Sequence, residues 1–212
     1  MSEITDQALL SQIQLALVEP PDGGISWPSG LWRKEEVLSL LNQRQDRLLF
    51  DTLLQVGIAN LTVTAGTSRV ALPADWLHSV DLVWRGDDGV VQELVRSTTF
   101  EADQIITTWE STQSTPLVYI ETEADHLQVI IAPEPDVNGT IELLYVPIGD
   151  ECGGEGTLLT VPDEVRHGVK YGVLADLLSK DGRGKDPGRS QYCEQRYDLC
   201  VQACRQLLEG WS

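Results

Sequence analysis

Three histidines, four cysteines and a crowd of carboxylates are the side chains of this 212-residue chain that could do chemistry. None of His78, His126 and His167 stands at ligand spacing from a cysteine or another histidine. His167 follows Asp163 by four residues, which on a helix makes a surface pair before it makes a catalytic dyad. Cys193, Cys200 and Cys204 could be imagined as metal thiolates. They share one helix face, however, and a single face cannot build a disulfide framework, so they read as buried thiols in a reducing compartment. The acids Glu121, Glu123, Asp125, Glu134 and Asp136 are dense enough to raise paired-carboxylate hydrolysis or calcium binding. Asp87-Asp88-Gly89 and Asp136-Val137-Asn138-Gly139 each offer too few oxygen ligands for a calcium loop, and the alternation of Glu121 and Glu123 fits an exposed acidic strand face equally well. Gly182-Arg183-Gly184-Lys185-Asp186 has the look of a phosphate loop. It lacks the required pattern: Ser179 stands where the first glycine belongs, Asp186 where a serine or threonine belongs, and no strand leads into it. Tryptophans 27, 32, 76, 84, 109 and 211 could form a carbohydrate platform, but burial is their ordinary use. No catalytic, cofactor-binding or metal-binding set assembles from these residues. Nor do these residues call for a cofactor.

The elements that must carry these residues come in an order of helices, strands, helices. Thr5 to Val18 reads as a helix capped by Thr5, with Asp6 in its first turn. Arg33 to Val56 reads as a longer helix closed by Gly57, with Arg44 and Arg47 on a solvated face. Short β-type runs follow at 61–65, 69–72, 80–84, 90–95, 117–121, 126–131 and 141–146, with a hairpin signal at Gly86-Asp87-Asp88-Gly89 and a helical turn within 98–106. Seven short strands at this spacing suit a sandwich or barrel. The glycine-rich stretch 149–156 has no periodicity and reads as mobile. Thr160 to Gly210 then reads as a helical hairpin. Pro162 and the acids Asp163 and Glu164 open its first helix, and Gly168, Gly172 and Ala175 give that helix one thin face. Asp186-Pro187 opens the second helix, and Gly210 would cap its end. The fold class is therefore α+β, a helical bundle built from both chain ends with an inserted all-β domain of sandwich or barrel type. The divisions fall at 1–58 for the first helices, 59–148 for the β domain, 149–160 for a flexible acidic connector and 161–212 for the hairpin.

Charge divides the chain unevenly. The net charge is −18, yet residues 163–212 hold eight acids and eight bases, so the whole excess lies in 1–162. Between Ser97 and Val165 there are 14 acids and no lysine or arginine. Such a field repels phosphates, and stable nucleic-acid binding through that region is not expected. No apolar run is long enough to span a bilayer, and the first residues have neither the basic region nor the apolar stretch of a signal peptide. Synthesis in the cytoplasm, and retention there unless the chain is assembled into something larger, is the expectation.

Taken in order, several segments resemble the head-to-tail adaptor (connector) proteins of tailed bacteriophages. They are Trp32 with Leu40-Leu41-Asn42-Gln43-Arg44-Gln45, then Val70-Ala71-Leu72-Pro73-Ala74-Asp75-Trp76, Leu117-Val118-Tyr119-Ile120, Leu127 to Pro135 and Ile141-Glu142-Leu143-Leu144-Tyr145. Val161-Pro162, Tyr171-Gly172-Val173-Leu174-Ala175 and the basic turn with Tyr192 and Arg196 complete the series. The resemblance implies a structural virion protein of the neck, where head meets tail, without enzymatic activity. Its partners would be itself in a ring, usually twelvefold, then the portal protein, then a tail or nozzle protein, with DNA passing through unheld and no membrane involved. The hairpin would engage the portal through Arg183, Lys185, Arg189, Tyr192 and Arg196. Glu121, Glu123, Asp125, Glu134 and Asp136 would lie on an acidic channel wall or outer surface. Another neck or tail-completion protein is the alternative in the same setting. In a different class stands an acidic β-type module binding glycans or calcium, and an acidic DNA mimic fits the charge but not the multi-element architecture.

Overall fold

The computed structural model describes residues 3–19, 27–105, 108–109, 112–121 and 127–209. Five helices form: α1 (Asp6–Ala16), α2 (Lys34–Thr52), α3 (Thr99–Ile105), α4 (Arg166–Ser179) and α5 (Pro187–Glu209). Eight strands form: β1 (Gly57–Val63), β2 (Arg69–Ala71), β3 (Trp76–Gly86), β4 (Val91–Glu93), β5 (Val95–Arg96), β6 (Val118–Glu121), β7 (Gln128–Ala132) and β8 (Gly139–Pro147). The fold is mixed α+β, and the chain divides into one compact unit of residues 1–55 with 148–212 and another of 56–147.

In the first unit α4 and α5 pack together, and α2 packs on both. Val37, Leu41 and Leu48 of α2, Val169, Val173 and Leu177 of α4, and Cys193, Tyr197, Cys200 and Cys204 of α5 are all buried. Thr5 caps α1 as its sequence suggests, its hydroxyl accepting from the N–H of Ala8 at 3.2 Å. Two helix limits differ from the sequence reading. α2 stops at Thr52 rather than Val56, because Leu53 turns into the left-handed region at φ 53° and donates its N–H to Leu49. α4 starts at Arg166 with no side-chain cap. Asp163, expected in its first turn, instead accepts from the backbone N–H groups of Glu3 and Ile4. Gly210 lies outside the described residues.

The second unit holds two four-stranded sheets, ordered β1-β8-β3-β4 and β2-β7-β6-β5. They share one core, in which Leu82, Trp84, Ile141 and Leu143 of the first sheet meet Val70, Val129, Ile131 and Tyr119 of the second. α3 and Trp109 cover the other face of the second sheet over Val118, Ile120 and Ala132. A reciprocal cap starts α3: Thr98 Oγ1 accepts from the N–H of Glu101, and the Glu101 carboxylate accepts from the N–H of Thr98. That hydrogen bond to the Thr98 backbone holds the Glu101 carboxyl below its ordinary range. The hairpin at Gly86–Gly89 forms as expected, closed by the Gly86 N–H donating to Val90 at 2.8 Å. The run 90–95 is not one strand. Leu94 drops into the shared core, 3% exposed, so that Val91–Glu93 pairs in the first sheet and Val95–Arg96 in the second. Gly139 is required where β8 crosses Trp84, because a Cβ there would stand 2.5 Å from the Arg85 carbonyl oxygen.

Candidate functional site

The densest polar construction in the helical unit is centred on Arg44. The spacing Val37, Leu41, Arg44, Leu48 puts this arginine on the apolar stripe of α2, not on a solvated face. It is 6% exposed. Its guanidinium makes two bonds of 2.6 Å to Asp176 on α4 and bonds of 3.2 and 2.9 Å to Glu194 on α5. It also lies over the ring of Tyr197, 5.0 Å from the centroid. Burial alone would favour loss of its charge. The hydrogen bonds to Asp176 and Glu194 outweigh that and hold its pKa above the ordinary arginine value. Gly172 makes the room: a Cβ at this position would stand 2.7 Å from Arg44 Cδ. The thin face of α4 thus closes on groups of the same chain, with Gly168 pressed likewise against Cys200.

Neighbouring polar side chains of α2 hold the stretch 149–160, which is tied to the helix at several points. Asn42 exchanges hydrogen bonds with the backbone of Cys152, Gln45 donates to the carbonyl of Asp150 and accepts from Thr160 N–H, and Asp46 accepts from Gly149 N–H. Burial pushes the Asp46 carboxyl up, partly offset by that bond from Gly149. Asp6 is fully buried and accepts from the N–H groups of Gly154 and Gly156 at 2.6 and 2.9 Å. The lack of periodicity in this stretch therefore reflects its being held through its backbone by side chains of α1 and α2.

The residues assigned from sequence to a partner-contacting surface are placed as follows. Arg183 is exposed with no ion pair among the described residues. Lys185 pairs with Asp181 at 2.6 Å, and that bond lowers the Asp181 carboxyl. Arg189 donates to the carbonyl of Ala16 at 2.8 Å, capping the C-terminus of α1. Arg205, further along α5, does the same for α2 through the Asp51 carbonyl at 2.7 Å. The basic turn thus offers fewer free bases than its sequence suggests, because Lys185 is paired with Asp181 and Arg189 is engaged at the end of α1. Gly184 within it lies against Trp32, whose ring a Cβ would meet at 2.8 Å. Tyr192 meets Tyr171 edge to face with centroids 6.4 Å apart, and Arg196 and Lys170 lie 5.7 and 5.3 Å from the Tyr171 centroid. These four side chains form one cationic, aromatic surface across α4 and α5.

Of the acidic set, Glu121 receives Arg96 at 2.5 Å, Glu134 is half-buried, and Asp136 is exposed. Glu123, Asp125 and His126 lie outside the described residues. Among the described residues no group of three His, Cys, Asp or Glu could hold a metal ion. The cysteines are free and buried, and burial pushes the Cys152 and Cys200 thiols up to about 12. Trp32, Trp84 and Trp109 are buried in separate places and form no platform. Among the described residues no helix is long and apolar enough to cross a membrane.

A family model described as SU10 adaptor protein matches residues 7–209. The chain belongs to the SU10 adaptor family. This is a family of phage adaptor proteins, and the match runs from α1 through both sheets to the last residue of α5. No curated protein matches the chain. Arg44 and Asp6, neither of them singled out from the sequence as a functional residue, are both buried in the helical unit of this SU10 adaptor. The signal for Arg44 was its place on the apolar stripe. For Asp6 no sequence signal separates a buried carboxylate from an ordinary first-turn acid.

Proposed function

We propose that this phage adaptor is the head-to-tail adaptor of a tailed phage. Its copies form a closed ring on the portal, surround the DNA channel and offer a platform to the tail. In this reading the two chain ends make one helical docking body and residues 59–148 the inserted domain. The family match across residues 7–209 carries the proposal. Charge supports it: the excess of −18 lies wholly in residues 1–162, and between Leu48 and Val165 there are only three bases, Arg69, Arg85 and Arg96. Of these, Arg85 pairs with Glu142 and Arg96 with Glu121. Each cation laid on a phosphate adds salt-dependent affinity, so a wall so poor in free bases lets DNA pass. Glu121, Glu123, Asp125, Glu134 and Asp136 belong to that wall or to the outer surface.

The portal is met by the helical unit, through Arg183 and the Tyr171–Tyr192–Arg196 surface, with Lys185 beside them. Arg189 contributes by fixing α1 against α5. Immunogold labelling of purified virions tests the assignment. Label at the junction of head and tail is the expected result, and absence of the protein from virions would refute it. Replacing Arg183 and Arg196 with Glu should abolish portal binding while leaving the thermal melt unchanged. Undiminished binding would remove this surface from the account.

A further inference from the structure

The β unit ends in two different open edges. At one end stand β1 and β2, which are the outermost strands of their sheets and touch each other. At the opposite end stand β4 and β5, outermost in the same two sheets and joined through Leu94. β1 is the more exposed template. Its seven residues, Gly-Ile-Ala-Asn-Leu-Thr-Val, include no charge, no proline and no bulge, although the chain as a whole carries −18. Its outer backbone groups have no partner among the described residues. Natural sheets normally guard such an edge against pairing with another chain.

The side chains at the two ends complement each other. On the β1 side Ile58 is 67% exposed. On the other side Val91, Val95, Phe100 and Leu117 are exposed beside an apolar hollow of about 580 Å³ whose rim carries Arg96 and Glu101. Arg69, which opens β2, is the one base of this unit with no ion pair among the described residues. Glu93, which ends β4 at the far end, is an exposed acid likewise without an ion pair there.

We propose that the β1/β2 edge of one copy seats against the β4/β5 edge of a second copy. The occupant of each edge is therefore another copy of this chain. Two unlike edges at opposite ends make a heterologous contact, the kind that closes into a ring and not into a two-fold dimer. Apolar side chains are covered on both sides, open backbone groups gain partners, and Arg69 of one copy gains an acidic surface bearing Glu93. The inference rests on the ring reading above and specifies which surfaces build the ring.

The test uses the full chain with its portal, followed by negative-stain imaging and sedimentation velocity. Ile58→Lys and Val95→Lys each spoil one edge, and both residues are exposed, so circular dichroism melts should match those of the wild type. Each variant alone should fail to close rings. Mixed in equal amounts they should form dimers, since one intact contact remains, and still no rings. Arg69→Glu should weaken assembly by at least about tenfold. Arg69→Glu combined with Glu93→Lys should recover most of that loss. Should a lysine variant prove misfolded, this charge-reversal pair carries the test. Rings formed as readily by the folded variants as by the wild type would overturn the edge contact while leaving the ring reading intact. No ring from the wild type would overturn both.

Discussion

Arg44 shows how one side chain can organise three helices. It sits where the stripe of α2 calls for an apolar residue, and its charge survives there because Asp176 and Glu194 arrive from α4 and α5. The arginine side chain is 7% exposed but its two partners are about a third exposed, so water shares the load. Arg44→Ala should therefore destabilise the protein by about 2–3 kcal/mol, below the ~3–5 kcal/mol of a fully buried pair, as read by urea unfolding. The thiols give a second residue-scale expectation. Burial raises all four, Cys152 and Cys200 to about 12, so the folded state holds their protons more tightly than the unfolded chain does. Stability is then complete below the ordinary thiol pKa and falls as pH rises from there towards 12. At neutral pH a thiol reagent such as dithionitrobenzoate should leave all four unmodified until the protein is unfolded, and fast labelling of the native protein would contradict this. The burial of Cys193, Cys200 and Cys204 was legible from their spacing on one helix face. That of Arg44 was not read, because arginine among Gln43, Gln45 and Asp46 looks solvated until the glycine opposite it is seen.

At the scale of elements, helix existence and strand alternation were legible, and most limits that moved did so for long-range reasons. α2 ends early at a left-handed leucine, Asp163 leaves the start of α4 to hold the N-terminal backbone, and the run 90–95 breaks between sheets at Leu94. The last two depend on groups distant in sequence, whereas the end of α2 is a local turn in which Leu53 bonds back to Leu49. The thin face of α4 is the clearest sequence-to-packing link. Gly168→Ala would set a methyl 2.8 Å from Cys200 Sγ, with Leu48 behind it. Helix propensity favours alanine by about 1 kcal/mol, yet overpacking should win and leave a net loss of about 1–2 kcal/mol in thermal unfolding. Asp6 makes a different link, from the first turn of α1 to Gly154 and Gly156. Asp6→Ala removes a buried charged acceptor from two N–H groups and should cost about 2–4 kcal/mol. Amide exchange should then accelerate first at those two glycines; unchanged protection there would show that the stretch 149–160 is held by other means.

By charge the chain divides into a neutral stretch, residues 163–212, and a strongly acidic remainder, and it is the first whose bases take on other roles in three dimensions. Arg183, Lys185, Arg189 and Arg196 read from sequence as one docking patch, together with Tyr192. Of these, Arg189 closes α1 and Lys185 pairs with Asp181, and outside the patch Arg205 closes α2 and Lys180 pairs with Glu36. What remains for a partner is Arg183 and the aromatic surface around Tyr171. In the acidic remainder few carboxylates find a base among the described residues. Mixing the full-length adaptor with the portal of the same phage and imaging the complex in negative stain tests the central claim most directly. The account predicts a ring of adaptor density, coaxial with the portal and attached by its helical end. Portal particles that remain bare at saturating adaptor would contradict it.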